Sequence, residues 1–240
     1  MKFNLKNYIK VLKTFQDDGY EIFPIGTIKK PKKTNQILLR HDVDFEISSA
    51  LKMAEIETKN KIKSSYYFLL RSNSYNLFSS TATSQLHRIK QLGHEIGLHF
   101  DASIYEDVET GLNKEVKIFE NIFQTKITFI TIHRPSKEFT KGSKQFGKIR
   151  HSYEGLFFSD IGYFSDSGGK FNHGLPQDSN GYSNRETFQF LTHPIWWVTK
   201  GKSEIQKLKE FQQVRSKELS SHIAHNCLPW KRYLSKKNLS

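Results

Sequence analysis

The chain has 240 residues, with 37 Lys and Arg against 24 Asp and Glu, and its formal net charge at pH 7 is +13. An aromatic content of 13%, with 19 Phe, favours a folded protein over a disordered one, and the length is sufficient for one domain with a sizeable core. The positive charge favours an anionic partner, such as nucleic acid, a membrane surface or a substrate that carries phosphate or acidic sugars. No nucleic-acid-reading motif accompanies the charge, so we predict no specific nucleic-acid partner.

Cysteine content and hydropathy bear on the compartment. Cys227 is the single cysteine, which excludes an intramolecular disulfide and is compatible with a reducing compartment. The first residues lack an apolar core of signal-peptide length, and nowhere does the sequence contain the roughly 18 consecutive apolar residues that span a bilayer. We therefore predict a cytoplasmic protein. The sequence is also compatible with peripheral contact between its lysines and an anionic membrane. It does not indicate the oligomeric state.

The predicted elements begin with a short amphipathic helix. Apolar residues at positions 5, 8, 9 and 12 have helical spacing, and this helix is predicted to end near Asp18. Strands are predicted over residues 20–25 and 37–39, on either side of a basic loop at 29–33. We interpret the loop as solvated rather than as a binding patch.

Helices and strands then alternate along the chain. Helical faces are predicted within 45–56, 86–92 and 112–123, and buried strands at 66–70, 95–99 and 128–132. Such alternation predicts a parallel sheet with right-handed crossovers. The pattern does not separate an α/β barrel from an open doubly wound sheet.

The C-terminal part is less regular. Gly, Ser, Asn and Asp are frequent between residues 137 and 186, which predicts long loops over the face that carries the chemistry. A last strand is predicted over 187–191. Beyond it, Trp196 and Trp197 are expected either to stack on a sugar or to pack in the core.

A polar helix is predicted to begin near Ile205, and the basic tail after Trp230 is predicted to fray. The sequence contains neither an internal repeat nor a linker that would divide it. We therefore predict a single catalytic domain over residues 1–240.

Two carboxylates, Asp42 and Asp44, follow the predicted strand at 37–39. Alternation directs both side chains the same way, and two like charges repel unless they hold a cation or one of them serves as a base. Taken alone, the stretch is equally compatible with a solvated acidic loop and a helix-capping Asp. A second stretch, residues 93–101, offers further histidines and another acid, and it favours an active site.

Polar residues also fall just beyond the other predicted strands. The carboxyl ends of parallel strands share one face of a sheet, and α/β barrels carry their chemistry on that face. We therefore predict one site that contains Asp42, Asp44, His99, His133 and Arg134.

The two stretches resemble the first two motifs of the polysaccharide deacetylases, also called carbohydrate esterase family 4. The Asp-x-Asp pair resembles the first motif as it is found in a divergent branch of that family. Residues 93–97 and His99 match the second motif, but Ser103 stands where the family has a second histidine.

Shorter matches follow in the same order as in the family. Residues 133–135, His-Arg-Pro, resemble the third motif, and residues 191–193, Leu-Thr-His, resemble the fifth. Asp166 is a weaker match to the aspartate of the fourth motif. The resemblance covers residues 37–193, and it implies a distorted (β/α) barrel with fewer than eight strands.

The resemblance also implies a role for each matching residue. Asp42 is implied to be the catalytic base, His193 the acid, and Arg134 the residue that orients Asp42. Asp44 and His99 are implied to be ligands of a divalent metal, for which we predict zinc. The third ligand is open between His133 and Asp101, and we favour His133 because a neutral imidazole leaves the positive charge of the site intact.

Other interpretations of these residues are structural. His133 could cap a strand, and Arg134 could form a surface salt bridge. We predict that His94 is structural and that His41, at the opposite phase from the carboxylates, packs or hydrogen-bonds behind the site. The histidines without a motif are predicted to lie at the surface; they are His87, His151, His173, His222 and His225.

The predicted function is metal-dependent hydrolysis of an N-acyl group, in the first instance N-acetyl, on a sugar or glycan precursor that could also carry phosphate. A metal-dependent phosphoesterase would use similar residues. A catalytically degenerate glycan-binding protein of the same fold is a third possibility, because the second motif lacks a histidine. Release of acetate or phosphate separates the first two, and neither product would favour the third.

Overall fold

The computed structural model describes residues 1–142, 144–172 and 174–237. These residues form two compact units, one covering Met1–Val198 and one that begins at Thr199. All of the predicted site residues lie in the first unit. The prediction of a single catalytic domain over residues 1–240 stays a prediction.

The first unit is built on a sheet that contains, within the described residues, eight named strands that all pair in parallel. The strand order is β6-β5-β4-β3-β2-β8-β7, and β1 pairs with the first half of β2. The strands are β1 (Glu21–Pro24), β2 (Gln36–Val43), β3 (Ser65–Leu69), β4 (Glu95–Phe100), β5 (Phe129–Ile132), β6 (Arg150–His151), β7 (Gly162–Ser165) and β8 (Phe188–Thr192).

Helices cover the outer face of this sheet, where α2 packs against α3 and α7. The helices of the first unit are α1 (Leu5–Asp17), α2 (Ile47–Lys59), α3 (Ser80–Gln91), α4 (Val108–Phe123), α5 (Lys137–Thr140), α6 (Asn180–Ser183) and α7 (Pro194–Val198). The second unit contains α8 (Glu204–Asn226) and α9 (Leu228–Lys237), which pack against each other. None of the helices in the described residues is long and apolar enough to cross a bilayer.

The sheet curls until its two ends approach each other. Gln189 of β8 donates hydrogen bonds to the carbonyls of Ser152 and Phe157, which follow β6 at the far end of the strand order. The buried side chains of Ile25, Leu38, Tyr67, Phe129 and Phe157 form one cluster. The predicted distorted (β/α) barrel is therefore confirmed, but fewer than eight strands were expected, whereas the described residues form seven strands along the strand order and an eighth, β1, beside β2.

Strand β2 explains why the chemistry lies at one end of the barrel. Its residues are all buried, and alternate side chains point to the same face. Leu38 belongs to the apolar cluster, and on the same face the chain continues through Arg40 to Asp42. The barrel interior is thus apolar near the start of β2 and charged where the strand ends.

Two sequence-based predictions are corrected by the fold, and one choice that the sequence left open is decided. The segment 137–186 was predicted to be loops, but it supplies β6 and β7 and places the buried ring of Phe157 in the interior cluster. The tail after Trp230 was predicted to fray, but it is helical as far as Lys237 because Trp230 packs back on α8 and donates to Ser220. Trp196 and Trp197 are both buried in the core, so their rings are not a sugar platform.

The outer face of β2 carries a buried polar cluster centred on Glu57 of α2. Its carboxylate accepts hydrogen bonds from Tyr66 and Ser64 at 2.7 Å each, from His41 at 2.9 Å and from Tyr8. All these side chains are fully buried. Burial by itself would raise the pKa of Glu57, but the charge and hydrogen bond of His41, with His94 and Tyr8, lower it to about 2.

We expect Glu57 to contribute an acid-sensitive part of the stability. Its folded pKa lies below the value of 4.5 for an unperturbed carboxyl, so its contribution is complete above about pH 4.5 and is lost as the pH falls toward 2. The free energy of unfolding should lose about 2 kcal/mol more between pH 6 and pH 3 in wild type than in Glu57→Gln. Urea titrations of both proteins measure this difference, and equal losses in the two would contradict it.

Candidate active site

Three potential metal ligands converge where β2, β4 and β5 end. Asp44 follows β2, His99 lies near the end of β4, and His133 follows β5. Oδ1 of Asp44 lies 3.3 Å from Nε2 of His99 and 3.5 Å from Nδ1 of His133, and these two nitrogens are 3.1 Å apart. One donor atom from each side chain lies within 4.8 Å of the others.

The chemistry of this group fits a divalent cation. Oδ1 of Asp44 is buried and, within the described part of the chain, makes no hydrogen bond of good geometry. Nδ1 of His99 hydrogen-bonds Oγ1 of Thr131 at 2.6 Å, which orients the ring so that Nε2 faces Asp44. Burial by itself would raise the pKa of Asp44, but His133, His99 and His193 hold it well below its usual range. An ionised carboxylate and two imidazoles are a donor set that zinc accepts.

Asp42 lies deeper in the barrel than Asp44 and is paired with Arg40. Oδ2 of Asp42 is 3.6 Å from Nη1 of Arg40 and 3.9 Å from Nδ1 of His99. Arg40 is fully buried, and its guanidinium lies 5.8 Å from the centre of the Tyr153 ring. Burial would lower the pKa of Arg40, but the carboxylate of Asp42 raises it overall, so the guanidinium is a permanent positive charge beside Asp42.

Arg134 was predicted to orient Asp42, and the structure does not bring the two together. Arg134 is exposed and has a left-handed backbone conformation, with φ of +47°. Arg40 lies next to Asp42 instead. A signal for Arg40 was present in the sequence, since it lies two residues before Asp42 in a strand and alternation directs both to one face. The catalytic role of Arg134 stays a prediction.

His193 and Asp166 form a buried pair beside Asp44. Nδ1 of His193 is 2.6 Å from Oδ1 of Asp166, and the His193 amide also donates to this carboxylate. Nε2 of His193 lies 3.8 Å from Oδ2 of Asp44. Burial would lower the pKa of His193, but the hydrogen bond and charge of Asp166, aided by Asp44 and Asp42, raise it to about 9.

Asp166 is held firmly in this position. It follows β7, is fully buried, and accepts a further hydrogen bond of 2.7 Å from the indole of Trp197. The sequence match of Asp166 to the fourth motif was weak, because the surrounding Gly and Ser residues conceal the end of a strand. The structure shows that the residue orients the His193 imidazole.

Ser103 and Asp101 lie outside the group of potential metal ligands. Ser103 is exposed, and both its amide and its hydroxyl donate to Oδ1 of Asp101, at 3.0 and 2.6 Å. Asp101 therefore caps the turn that follows β4. His133, rather than Ser103 or Asp101, joins Asp44 and His99 in the group of potential metal ligands.

The other histidines divide into buried and exposed residues. His94 is buried and hydrogen-bonds Ser64, Thr58 and the carbonyl of Ala54, as expected for a structural residue. His151 was predicted at the surface but is fully buried, with Nε2 2.8 Å from the carbonyl of Lys144. His222 and His225 are exposed and His87 is half-buried, whereas His173 lies outside the described residues.

Comparison with known proteins identifies solved structures that have a similar fold. No protein-family profile and no curated protein sequence matches the chain. The chitin deacetylase of the fungal pathogen Colletotrichum lindemuthianum is similar in structure, with a TM-score of 0.50 at 15% identity over 80% of this chain and 88% of that one. A family 4 carbohydrate esterase from Bacillus anthracis gives 0.45 at 17% identity, over 87% and 86% of the two chains.

A family 4 pseudoenzyme from Bacillus anthracis is also similar, with a TM-score of 0.44 at 12% identity over 78% of this chain and 62% of that one. Similarity at these identities shows the fold alone. The fold is that of the polysaccharide deacetylases, and the resemblance predicted from the sequence motifs is confirmed at that level.

Proposed function

We propose that this protein is a metal-dependent carbohydrate deacetylase that hydrolyses an N-acyl group, in the first instance N-acetyl, on a sugar or glycan. One observation carries the proposal. Beside the Asp44, His99 and His133 group lie a buried carboxylate, Asp42, 3.9 Å from His99, and a histidine–carboxylate pair, His193 and Asp166, with His193 3.8 Å from Asp44. Amide hydrolysis needs both a base and an acid within reach of the reacting groups.

Asp44, His99 and His133 would hold the metal, for which we propose zinc. A bound divalent cation supplies two effects, a lowered pKa of water and polarisation of a carbonyl oxygen. Three protein ligands leave room for water and substrate, as is usual in catalytic zinc sites.

Asp42 would act as the base that takes a proton from the attacking water as its oxygen bonds to the acyl carbon. Arg40 holds that carboxylate in place through its 3.6 Å ion pair. His193, which its raised pKa keeps protonated at neutral pH, would donate a proton to the sugar nitrogen as the C–N bond breaks. The products are a carboxylic acid and a free amine; Asp42 has gained one proton and His193 has lost one, and exchange with solvent water restores both groups.

The substrate class rests on two observations. The structurally similar enzyme from Colletotrichum acts on chitin, a polymer of N-acetylated sugars. The net charge of +13 favours a substrate with a phosphate or another acidic group, such as a nucleotide- or lipid-linked glycan precursor. A cytoplasmic location and contact with a membrane surface stay predictions.

Metal analysis combined with product release tests the proposed function. The purified protein should contain about one zinc per chain and should release acetate from N-acetylated sugars, and chelation should abolish this activity. Phosphate release from sugar phosphates would instead favour a phosphoesterase. A metal-bound protein that releases neither product but binds glycans would favour a degenerate binding protein.

The choice of His133 as third ligand has its own test. His133→Ala should weaken zinc binding at least about tenfold, the scale associated with the loss even of residues that only hydrogen-bond to a ligand, because the imidazole is replaced by a group that cannot bind. Asp101→Ala is the matched control and should retain wild-type affinity, since this carboxylate caps a turn. Competition with a chromogenic chelator measures both affinities, and the opposite ranking would exclude His133 as the ligand.

A further inference from the structure

The register between β2 and β8 ends at a polar pair. His41 of β2 lies opposite Thr192 of β8, and this is the last pair of the ladder. The next residues along the two strands are Asp42 and His193, the base and acid of the proposed reaction. Because side chains alternate between the two faces, His41 and Thr192 lie on the outer face and the two reactive side chains on the inner one.

A hydrogen-bonded chain connects this last pair to helix α2. Nδ1 of His41 lies 2.7 Å from Oγ1 of Thr192, and Nε2 of His41 lies 2.9 Å from Oε1 of Glu57. A carboxylate can only accept, so Nε2 of His41 carries the proton. Both ring nitrogens are therefore engaged, one by the helix layer and one by β8.

The Glu57 end of this hydrogen-bonded series is also held in place. Oε2 of Glu57 accepts from Tyr66 of β3 and from Ser64, which precedes it, at 2.7 Å each. His41, Glu57, Tyr66 and Thr192 are all fully buried, so water cannot replace a lost partner without a rearrangement. The imidazole of His41 is thereby fixed relative to three strands and one helix.

We propose that Glu57, His41 and Thr192 are positioning residues for the acid–base pair. They hold the last residue pair of β2 and β8 in register, and so they keep His193 at its distance from Asp42 and Asp44. A slip of one residue at this point would turn the reactive side chains to the outer face, and partial fraying would loosen His193. The inference rests on the proposed function, because it assigns these three hydrogen-bonded residues a role in that reaction.

Conservative substitutions separate positioning from stability. Thr192→Val removes the hydroxyl that bonds His41 and keeps the side-chain shape, whereas Thr192→Ser keeps the hydroxyl. Tyr66→Phe is the matched control, because it also removes one buried hydrogen bond from the network but acts on the other oxygen of Glu57. Ser64 still donates to that oxygen in this variant, and the connection from Glu57 through His41 to Thr192 stays intact.

Comparing kcat on two substrates tests whether His193 is correctly positioned. On an N-acetylated sugar, whose amine needs protonation, Thr192→Val should lower kcat about tenfold with KM nearly unchanged, as expected for a small misplacement of a catalytic group. On phenyl acetate, a good leaving group, kcat should stay near wild type. Thr192→Ser and Tyr66→Phe should retain wild-type values on both. Equal losses on both substrates, or the same loss in Tyr66→Phe, would overturn the inference.

A measurement that does not depend on catalysis can test this inference even if the proposed function is wrong. If the wild-type protein releases no acetate, the proposed function fails, and positioning is then judged from the NMR signals of the His193 ring. Glu57 is at the end of the hydrogen-bonded series that is farthest from His193. Glu57→Gln should nevertheless shift or double the His193 signals, whereas Tyr66→Phe should not. Unchanged His193 signals in Glu57→Gln would show that the network does not position this residue.

Discussion

Asp42→Asn is expected to abolish turnover and to leave the metal in place. Asp42 is a buried carboxylate that faces Arg40 and His99 and does not belong to the Asp44, His99 and His133 group. Asparagine has nearly the same shape but cannot accept a proton from water. Loss of a general base commonly lowers rate by 10² to 10⁴, and we expect kcat to fall about 10³-fold.

Asp44→Asn is the matched variant for this prediction. It removes the charged oxygen that faces both imidazoles, so it should lose zinc and, as a consequence, activity. Zinc content and kcat measured on both variants distinguish a base from a ligand. If Asp42→Asn loses the metal and Asp44→Asn keeps it, the two carboxylates have been assigned in the wrong order. Because Asp42 also balances the buried Arg40, thermal unfolding of each variant must confirm that it is folded.

His193→Ala is expected to lower turnover about 100-fold on N-acetylated sugars, the scale of general acid catalysis, and to keep zinc occupancy at the wild-type level. The imidazole lies beside Asp44 but is engaged by Asp166, and it is available to protonate a leaving amine. Phenyl acetate has a leaving group that needs no proton, so this substrate should partly restore the activity. An equal deficit on both substrates would remove His193 from the acid role.

The pH dependence of the same step gives a second measurement. Asp166 is the main cause of the raised His193 pKa, and the active form of an acid is the protonated one. Activity should therefore be present at neutral pH and decline as the pH rises through the folded pKa of His193. Asp166→Asn removes the charge that raises this pKa, so the alkaline decline should move to lower pH. An alkaline limit at the same pH in both proteins would show that another group sets it.

The elements of the barrel were largely predictable from the sequence, because each strand and helix shows the apolar spacing of its own type. Residues 37–39 of β2 and 66–69 of β3 are continuous apolar runs, and helices such as α4 have one apolar stripe. The strands β6 and β7 were missed because they are short and lie in a stretch rich in Gly and Ser. They form through pairing with β5 and β8, which a local pattern cannot reveal.

The sequence alone also determined where the chemistry lies. Asp42, Asp44, His99, His133 and His193 each fall at or just beyond the carboxyl end of a predicted strand, and parallel strands bring those ends together. The structure places all five side chains in one group of contacts. Connectivity was sufficient for this conclusion because strand direction is set by the order of helices and strands.

The pairing of the charged residues depends on the assembled barrel. Arg40 rather than Arg134 lies beside Asp42, since the interior of a curled sheet buries a guanidinium against the carboxylate two residues away. Asp166 reaches His193 across 27 residues because β7 pairs with β8. Asp101 forms a local cap and His133 meets His99, a difference that depends on side-chain direction at the ends of β4 and β5. Sequence spacing specifies which strand end a residue occupies, whereas its contacts depend on curl, register and rotamer, which arise only when the strands are assembled.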